Sequence, residues 1–165
     1  MATIAIVDDF DLFREAFTGF LQSAGHEVVW SSGSGKAFIL QLQATALPQI
    51  VLLDSELCEK EEYETARWLQ EHLPQTKVLV LAVTGEEEDL IIRMLKNGSR
   101  GFLLKTTTLE ELKAALKTLM KKGFYAPLIN MEACLFPTVR FRDTIRSFKK
   151  KCEEGTGRSS PDNPQ

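Results

Sequence analysis

Cysteine is scarce in this sequence, and what there is does not pair. Cys58, Cys134 and Cys152 are odd in number and widely spaced. No Cys-x-x-Cys motif or Cys/His cluster suggests zinc, and His26 and His72 have no matching ligand set. Free thiols in a reducing cytoplasm are expected. Long apolar runs are also missing. None approaches the roughly 18 residues needed to cross a bilayer. No basic segment followed by an apolar stretch opens the chain, so no signal peptide is expected. Charge of one sign is not in excess either. Twenty Lys+Arg against 23 Asp+Glu leave a net charge of −3, with no global pull toward nucleic acid or a membrane surface. At 165 residues, the chain has room for one globular core and little for a second.

What is present is a regular alternation. Ile4 to Val7, His26 to Trp30, Ile50 to Leu53, Val78 to Val83 and Gly101 to Leu104 read as five short buried strands. Between them lie segments of helical spacing. Leu12 to Ala24 has Leu12, Phe13, Ala16, Phe17, Phe20, Leu21 and Ala24 as its apolar members and ends at Gly25. Ala37 to Ala44, Glu61 to His72 and Glu86 to Lys96 supply the next three helices. The fifth helix starts at Thr108, with Glu111 at the capping-box position, and stops at Gly123. Five β/α units with continuously apolar strands predict an α/β fold: a five-stranded, doubly wound parallel sheet covered on both faces.

In such a sheet the chemistry gathers at the carboxyl ends of the strands. Those ends carry Asp8 and Asp9 after the first strand, Asp54 after the third and Lys105 after the fifth. Two carboxylates about 4 Å apart repel by on the order of 4 kcal/mol at an effective dielectric near 20. A magnesium ion, which favours hard oxygen ligands, relieves that repulsion and neutralises an incoming phosphoryl group. A carboxylate there can attack phosphorus, and a lysine adds a compact positive charge for the bound phosphate. The set suits phosphoryl transfer.

With Ile6-Val7-Asp8-Asp9, Val51-Leu52-Leu53-Asp54 and Gly101-Phe102-Leu103-Leu104-Lys105 at separations of about fifty residues, the sequence resembles the receiver domain of bacterial two-component response regulators. The resemblance covers roughly residues 3 to 122. Residues 79–84 and 121–125 look most like LuxR/NarL-type receivers, and no helix-turn-helix effector is recognisable here. The resemblance implies a flavodoxin-like fold and a role in a phosphorelay, with no enzyme activity beyond self-catalysed aspartyl phosphorylation. Asp54 would be the phosphoacceptor. Asp8, Asp9, Asp54 and the Glu56 backbone carbonyl would hold Mg2+. Lys105 would contact the phosphate, and Phe102 stands at the aromatic switch position. A histidine kinase or phosphotransfer protein is the implied donor. A homodimer could form through the face of the fourth helix, fifth strand and fifth helix, or through a C-terminal helix.

Several positions depart from the family pattern. Ala82 stands where a Ser or Thr usually ends the fourth strand. Thr84, two positions on, is over about 6 Å further along an extended chain. Cys58 replaces the usual proline, and Glu62 replaces the usual glycine, within an acid-rich stretch from Glu56 to Glu64. Two alternatives stand beside this reading, and the departures favour the first. One is a pseudo-receiver acting as a constitutive interaction module. The other is a transcriptional regulator that has lost its DNA-binding domain.

Residues 1–123 are expected to form the receiver, with 13 basic and 18 acidic residues; the remainder has 7 and 5, so positive charge is concentrated at the end. Residues 124–137 read as a linker or irregular packed segment, 138–153 as a basic amphipathic helix and 154–165 as a disordered tail. Phe141, Ile145, Phe148 and Cys152 form the helix's apolar stripe. A helix-turn-helix needs about three helices, so sequence-specific DNA binding is not expected.

Overall fold

The computed structural model describes residues 1–42, 46–61, 63–83, 88–127 and 139–156. Its strands are β1 (Thr3–Val7), β2 (Glu27–Ser32), β3 (Ile50–Asp54), β4 (Lys77–Ala82) and β5 (Phe102–Leu104). They form one parallel sheet in the order β2-β1-β3-β4-β5. Alternation along each strand separates two apolar layers. Ile4, Ile6, Ile50, Leu52, Leu79, Leu81 and Leu103 face α1 (Asp11–Ser23) and α6 (Leu109–Lys122). Ala5, Val7, Val51, Leu53, Val78, Val80 and Phe102 face the other layer. That layer is built from α2 (Gly35–Gln41), α3 (Ser55–Lys60), α4 (Glu64–His72) and α5 (Glu88–Lys96). Both faces of β1, β3, β4 and β5 are therefore covered, which explains strands with no polar alternation, while β2 at the edge is only partly buried.

The order of connection reverses beside β1, whose neighbours are β2 on one side and β3 on the other. A crevice opens at such a point, above the carboxyl ends of the strands.

Local signals account for most boundaries. Thr108 accepts a hydrogen bond from the Glu111 amide at 3.1 Å, and Gly123 closes α6 at φ 77°. Several details differ from expectation, among them α2, which starts at Gly35 and ends at Gln41 rather than running from 37 to 44. Ser31 and Ser32 look like loop residues but belong to β2, because the Asp8 amide donates to the Ser32 carbonyl at 3.1 Å. The expected helix from Glu61 is preceded by a separate short helix, α3, which Asp54 caps. The break between α3 and α4 places Tyr63 at φ 62°, a left-handed conformation for a non-glycine residue. Leu12 and Phe20, expected on the apolar stripe of α1, are 69% and 52% exposed; the helix buries Phe17 and Leu21 instead.

Past Gly123 the chain stays on the sheet. The Tyr125 amide donates to the Arg100 carbonyl at 3.1 Å, and the Phe102 amide to the Tyr125 carbonyl at 3.2 Å. The start of the expected linker is thus packed as a one-residue extension along the free edge of β5. Helix α7 (Val139–Thr156) then lies against α5 and α6. Its Ile145 is buried in the layer that contains Phe124 and Ala126, with Phe148 packed against it. The face named as a possible dimer surface, now α5, β5 and α6 because α3 shifts the count, carries α7. Residues 128–137 and 157–165, with most of the expected linker and tail, lie outside the described residues.

Candidate functional site

Two strand ends and one loop meet in the crevice above β1 and β3. Val7 pairs with Leu53 in register, which sets Asp8 beside Asp54. Both carboxylates are buried, and Asp9 is exposed at the rim. One oxygen from each of Asp8, Asp9 and Asp54 lies within 4.8 Å of the others. Lys105 reaches them from the end of β5, its amide fixed by the Ala82 carbonyl at 2.8 Å. Its ammonium stands 2.6 Å from Asp8 Oδ2 and 2.7 Å from Asp54 Oδ1, and 4.3 Å over the Phe13 ring.

The second oxygen of each buried carboxylate is committed locally. Asp8 Oδ1 accepts from the Phe10 amide at 2.9 Å, closing a turn into α1. Asp54 Oδ2 accepts from the Leu57 amide at 2.9 Å, capping α3. Burial works against the charge on Lys105, but hydrogen bonds and attraction from Asp54 and Asp8 outweigh it and raise its pKa above 10.5. A raised cation contributes stability below its unfolded value and loses it as pH climbs through the folded value. The Lys105 bridge therefore persists across the whole neutral range.

The other expected residues divide. Phe102 is fully buried beside Val80, inside the sheet layer rather than at the crevice. Ala82 is also fully buried and presents only a methyl group at the end of β4. Thr84 and Glu62 lie outside the described residues. Glu56 sits in the first turn of α3, where helical geometry directs its carbonyl toward residue 60.

Cys58 lies in α3, buried four residues after Asp54. Burial, then Glu61 and Asp54, push its thiol up to about 12. The thiol is therefore neutral at mildly alkaline pH, and Cys58 is expected to resist iodoacetamide in the native protein and react on unfolding. Peptide mass spectrometry checks this; native labelling at the rate of a free thiol would contradict the described burial.

Sequence reasoning missed three participants: Phe13 beneath the lysine, the Leu57 amide that binds Asp54, and Arg14. A basic residue on the inward row of a mainly apolar helix, six positions after Asp8, was the available signal for Arg14.

Residues 4–117 match the family described as the response regulator receiver domain. The chain belongs to that family. It is 30% identical over 122 residues to the transcriptional regulatory protein DegU of Brevibacillus brevis, covering 74% of this chain and 51% of that protein. It is 30% identical over 115 residues to the nitrate/nitrite response regulator protein NarL of Escherichia coli K12, covering 70% and 53%. The chain thus spans about half the length of these curated relatives. Among solved structures, the signal receiver domain of NarL from Mycobacterium tuberculosis superposes with a TM-score of 0.64 at 28% identity, covering 73% of this chain and 96% of that one. As a receiver, the protein has the expected five-stranded parallel sheet with an added C-terminal helix. Among the described residues no helix is long and apolar enough to cross a membrane.

Proposed function

We propose that this receiver accepts a phosphoryl group on Asp54 from a histidine kinase or phosphotransfer protein and signals by protein–protein contact. The observation that carries the reading is the Lys105 ammonium held between the buried Asp8 and Asp54 carboxylates, with Asp9 close enough to complete a cation site. Three clustered carboxylates are a hard oxygen donor set that fits magnesium. Asp8, Asp9, Asp54 and the Glu56 backbone carbonyl would hold the ion, and it would neutralise charge on the transferring group.

The residues divide the remaining work. Asp54 Oδ2 is tied to the Leu57 amide, so Oδ1 is the oxygen that faces the crevice and attacks phosphorus. As the new O–P bond forms, the P–N bond to the donor histidine breaks. Its electron pair stays on the imidazole nitrogen, which is then protonated. Lys105 exchanges its contact with Asp54 for one with a phosphoryl oxygen, and Asp8 keeps it aligned. Hydrolysis of the acyl phosphate returns the carboxylate and inorganic phosphate. A cytoplasmic location accords with this donor chemistry.

Ala82 favours a second reading, a constitutive interaction module. A methyl group cannot bond a phosphate oxygen, and a lost hydrogen bond to a charged group costs roughly 1.5–3 kcal/mol. A regulator acting on transcription through partners, without DNA contact of its own, is a variant of this reading.

Beryllofluoride with magnesium, followed by amide NMR, tests the choice. Shifts that begin at Asp54, extend to Phe102 and α5, and vanish in Asp54→Asn support a working switch. Shifts confined to the crevice support chemistry without signalling. No response at millimolar magnesium sinks the phosphoryl reading.

A further inference from the structure

Two of the three crevice carboxylates, Asp8 and Asp9, stand on the turn between β1 and α1. The sheet ladder holds this turn only as far as the Asp8 amide, which donates to Ser32 on β2. Arg14, one turn into α1, reaches back over it. Its Nη1 donates to the Asp8 main-chain carbonyl at 2.7 Å. Its Nε donates to Ser31 Oγ at 2.9 Å, and its Nη2 pairs with Asp11 at 3.0 Å. One planar guanidinium thus ties together the end of β1, the end of β2 and the start of α1. The side chain is 18% exposed. Gly33 leaves space for it, because a Cβ there would come within 3.3 Å of Nη1.

We propose that Arg14 is a positioning residue for the acid crevice. It anchors the Asp8–Asp9 turn to β2, so both carboxylates keep their spacing when a divalent cation draws them toward Asp54. The direction of the anchor matters. β2 and β3 flank β1 on opposite sides, so a clamp to Ser31 opposes the pull of an ion shared with β3. The fork spreads its donors over three nitrogens that reach three separate acceptors in one plane, whereas an ammonium has its three donors on a single nitrogen at the end of a flexible stem. The role in metal binding rests on the phosphoryl-transfer reading above, whereas the clamp itself acts in the metal-free protein.

The test uses Arg14→Ala, Arg14→Lys and Ser31→Ala in the full chain, with intact β4 and β5 amide spectra as the check on folding. The first readout is hydrogen exchange of the Phe10 amide without metal, because that amide closes the turn on Asp8 Oδ1. The second is magnesium affinity by calorimetry. Both Arg14 variants are expected to lose Phe10 protection and to bind magnesium about tenfold more weakly, the lower end of the usual effect of residues that orient metal ligands. Ser31→Ala removes one anchor and no charge, so it should shift both readouts the same way by less. It also keeps the proposal testable should an Arg14 variant fail to fold. Full recovery in Arg14→Lys would mean that charge alone matters and overturns the proposal. So would an unchanged Phe10 amide, or lost protection with unchanged magnesium affinity. Wild-type protein that ignores millimolar magnesium overturns the metal-dependent reading itself. The Phe10 amide, read without metal, distinguishes that failure from failure of the clamp.

Discussion

Lys105→Met is expected to lose about 3 kcal/mol of stability without divalent cations and to recover most of it in millimolar magnesium. The ammonium is the counter-charge for two carboxylates that are almost wholly buried, at 2.6 and 2.7 Å. Methionine fills similar space but leaves Asp8 and Asp54 facing each other. Removing one partner from a buried ion pair typically costs 3–5 kcal/mol. The crevice is open at Asp9, which places this case near the lower figure. Without the competing ammonium the variant should bind magnesium more tightly than wild type; at one hundred times the variant's dissociation constant the ion returns about 2.7 kcal/mol by mass action, and wild type, binding more weakly, gains less. The sign with pH follows from the same picture. The deficit comes from two ionised carboxylates left facing each other, so it is small in acid, where carboxylates are protonated, and grows toward neutral pH. Urea unfolding with and without magnesium, at acidic and neutral pH, measures all of this. A deficit that is the same in every condition would falsify the assignment of Lys105 as the internal substitute for a cation.

A second large effect is expected far from the crevice. Gly101→Ala should cost about 3 kcal/mol, equivalent to roughly 6–12 °C in Tm for a chain of this size. Gly101 has φ 143°, a conformation that side-chain-bearing residues rarely adopt, and a Cβ there would run into the Tyr125 backbone carbonyl. Backbone cannot move aside as a flexible side chain can. The chain at 124–126 would have to leave the edge of β5 and give up the two hydrogen bonds that Tyr125 makes there. Phe124 and Ala126 would come away with it, loosening the seat of Ile145. Faster amide exchange in α7 should therefore accompany the drop in Tm. Gly19→Ala is the contrast: Gly19 is exposed in the middle of α1 with nothing within 4 Å of the added atom, so alanine should stabilise by up to about 1 kcal/mol. Equal effects at the two glycines would contradict the edge packing described.

The sheet and the crevice were legible in the sequence because one signal served both. A strand buried on both faces is a continuous apolar run, and the first polar residue after it marks the carboxyl end. Asp8, Asp54 and Lys105 are each that residue. Less legible was anything decided by contacts between segments. Asp54 reads as the end of a strand, yet it also caps α3, and only the close approach of Lys105 shows how its two oxygens divide. Ser31 and Ser32 read as loop because their pairing partner is β1. Leu12 and Phe20 match the period of α1 but fall outside the arc that the sheet and α6 can cover. Arg14 is a surface charge by composition and a clamp only once β2 is alongside.

The position of α7 bears on how strongly anything can bind the α5–β5–α6 face. A ligand that needs the part of that surface beneath α7 would meet it only in molecules with α7 lifted. Its apparent dissociation constant is the intrinsic one divided by the lifted fraction. If one molecule in about a hundred is open, an intrinsically micromolar contact behaves as roughly a tenth-millimolar one, and anything that loosens the seat of Ile145 tightens binding without touching the ligand. A helix seated in this way would set a concentration threshold for the part of the face it covers.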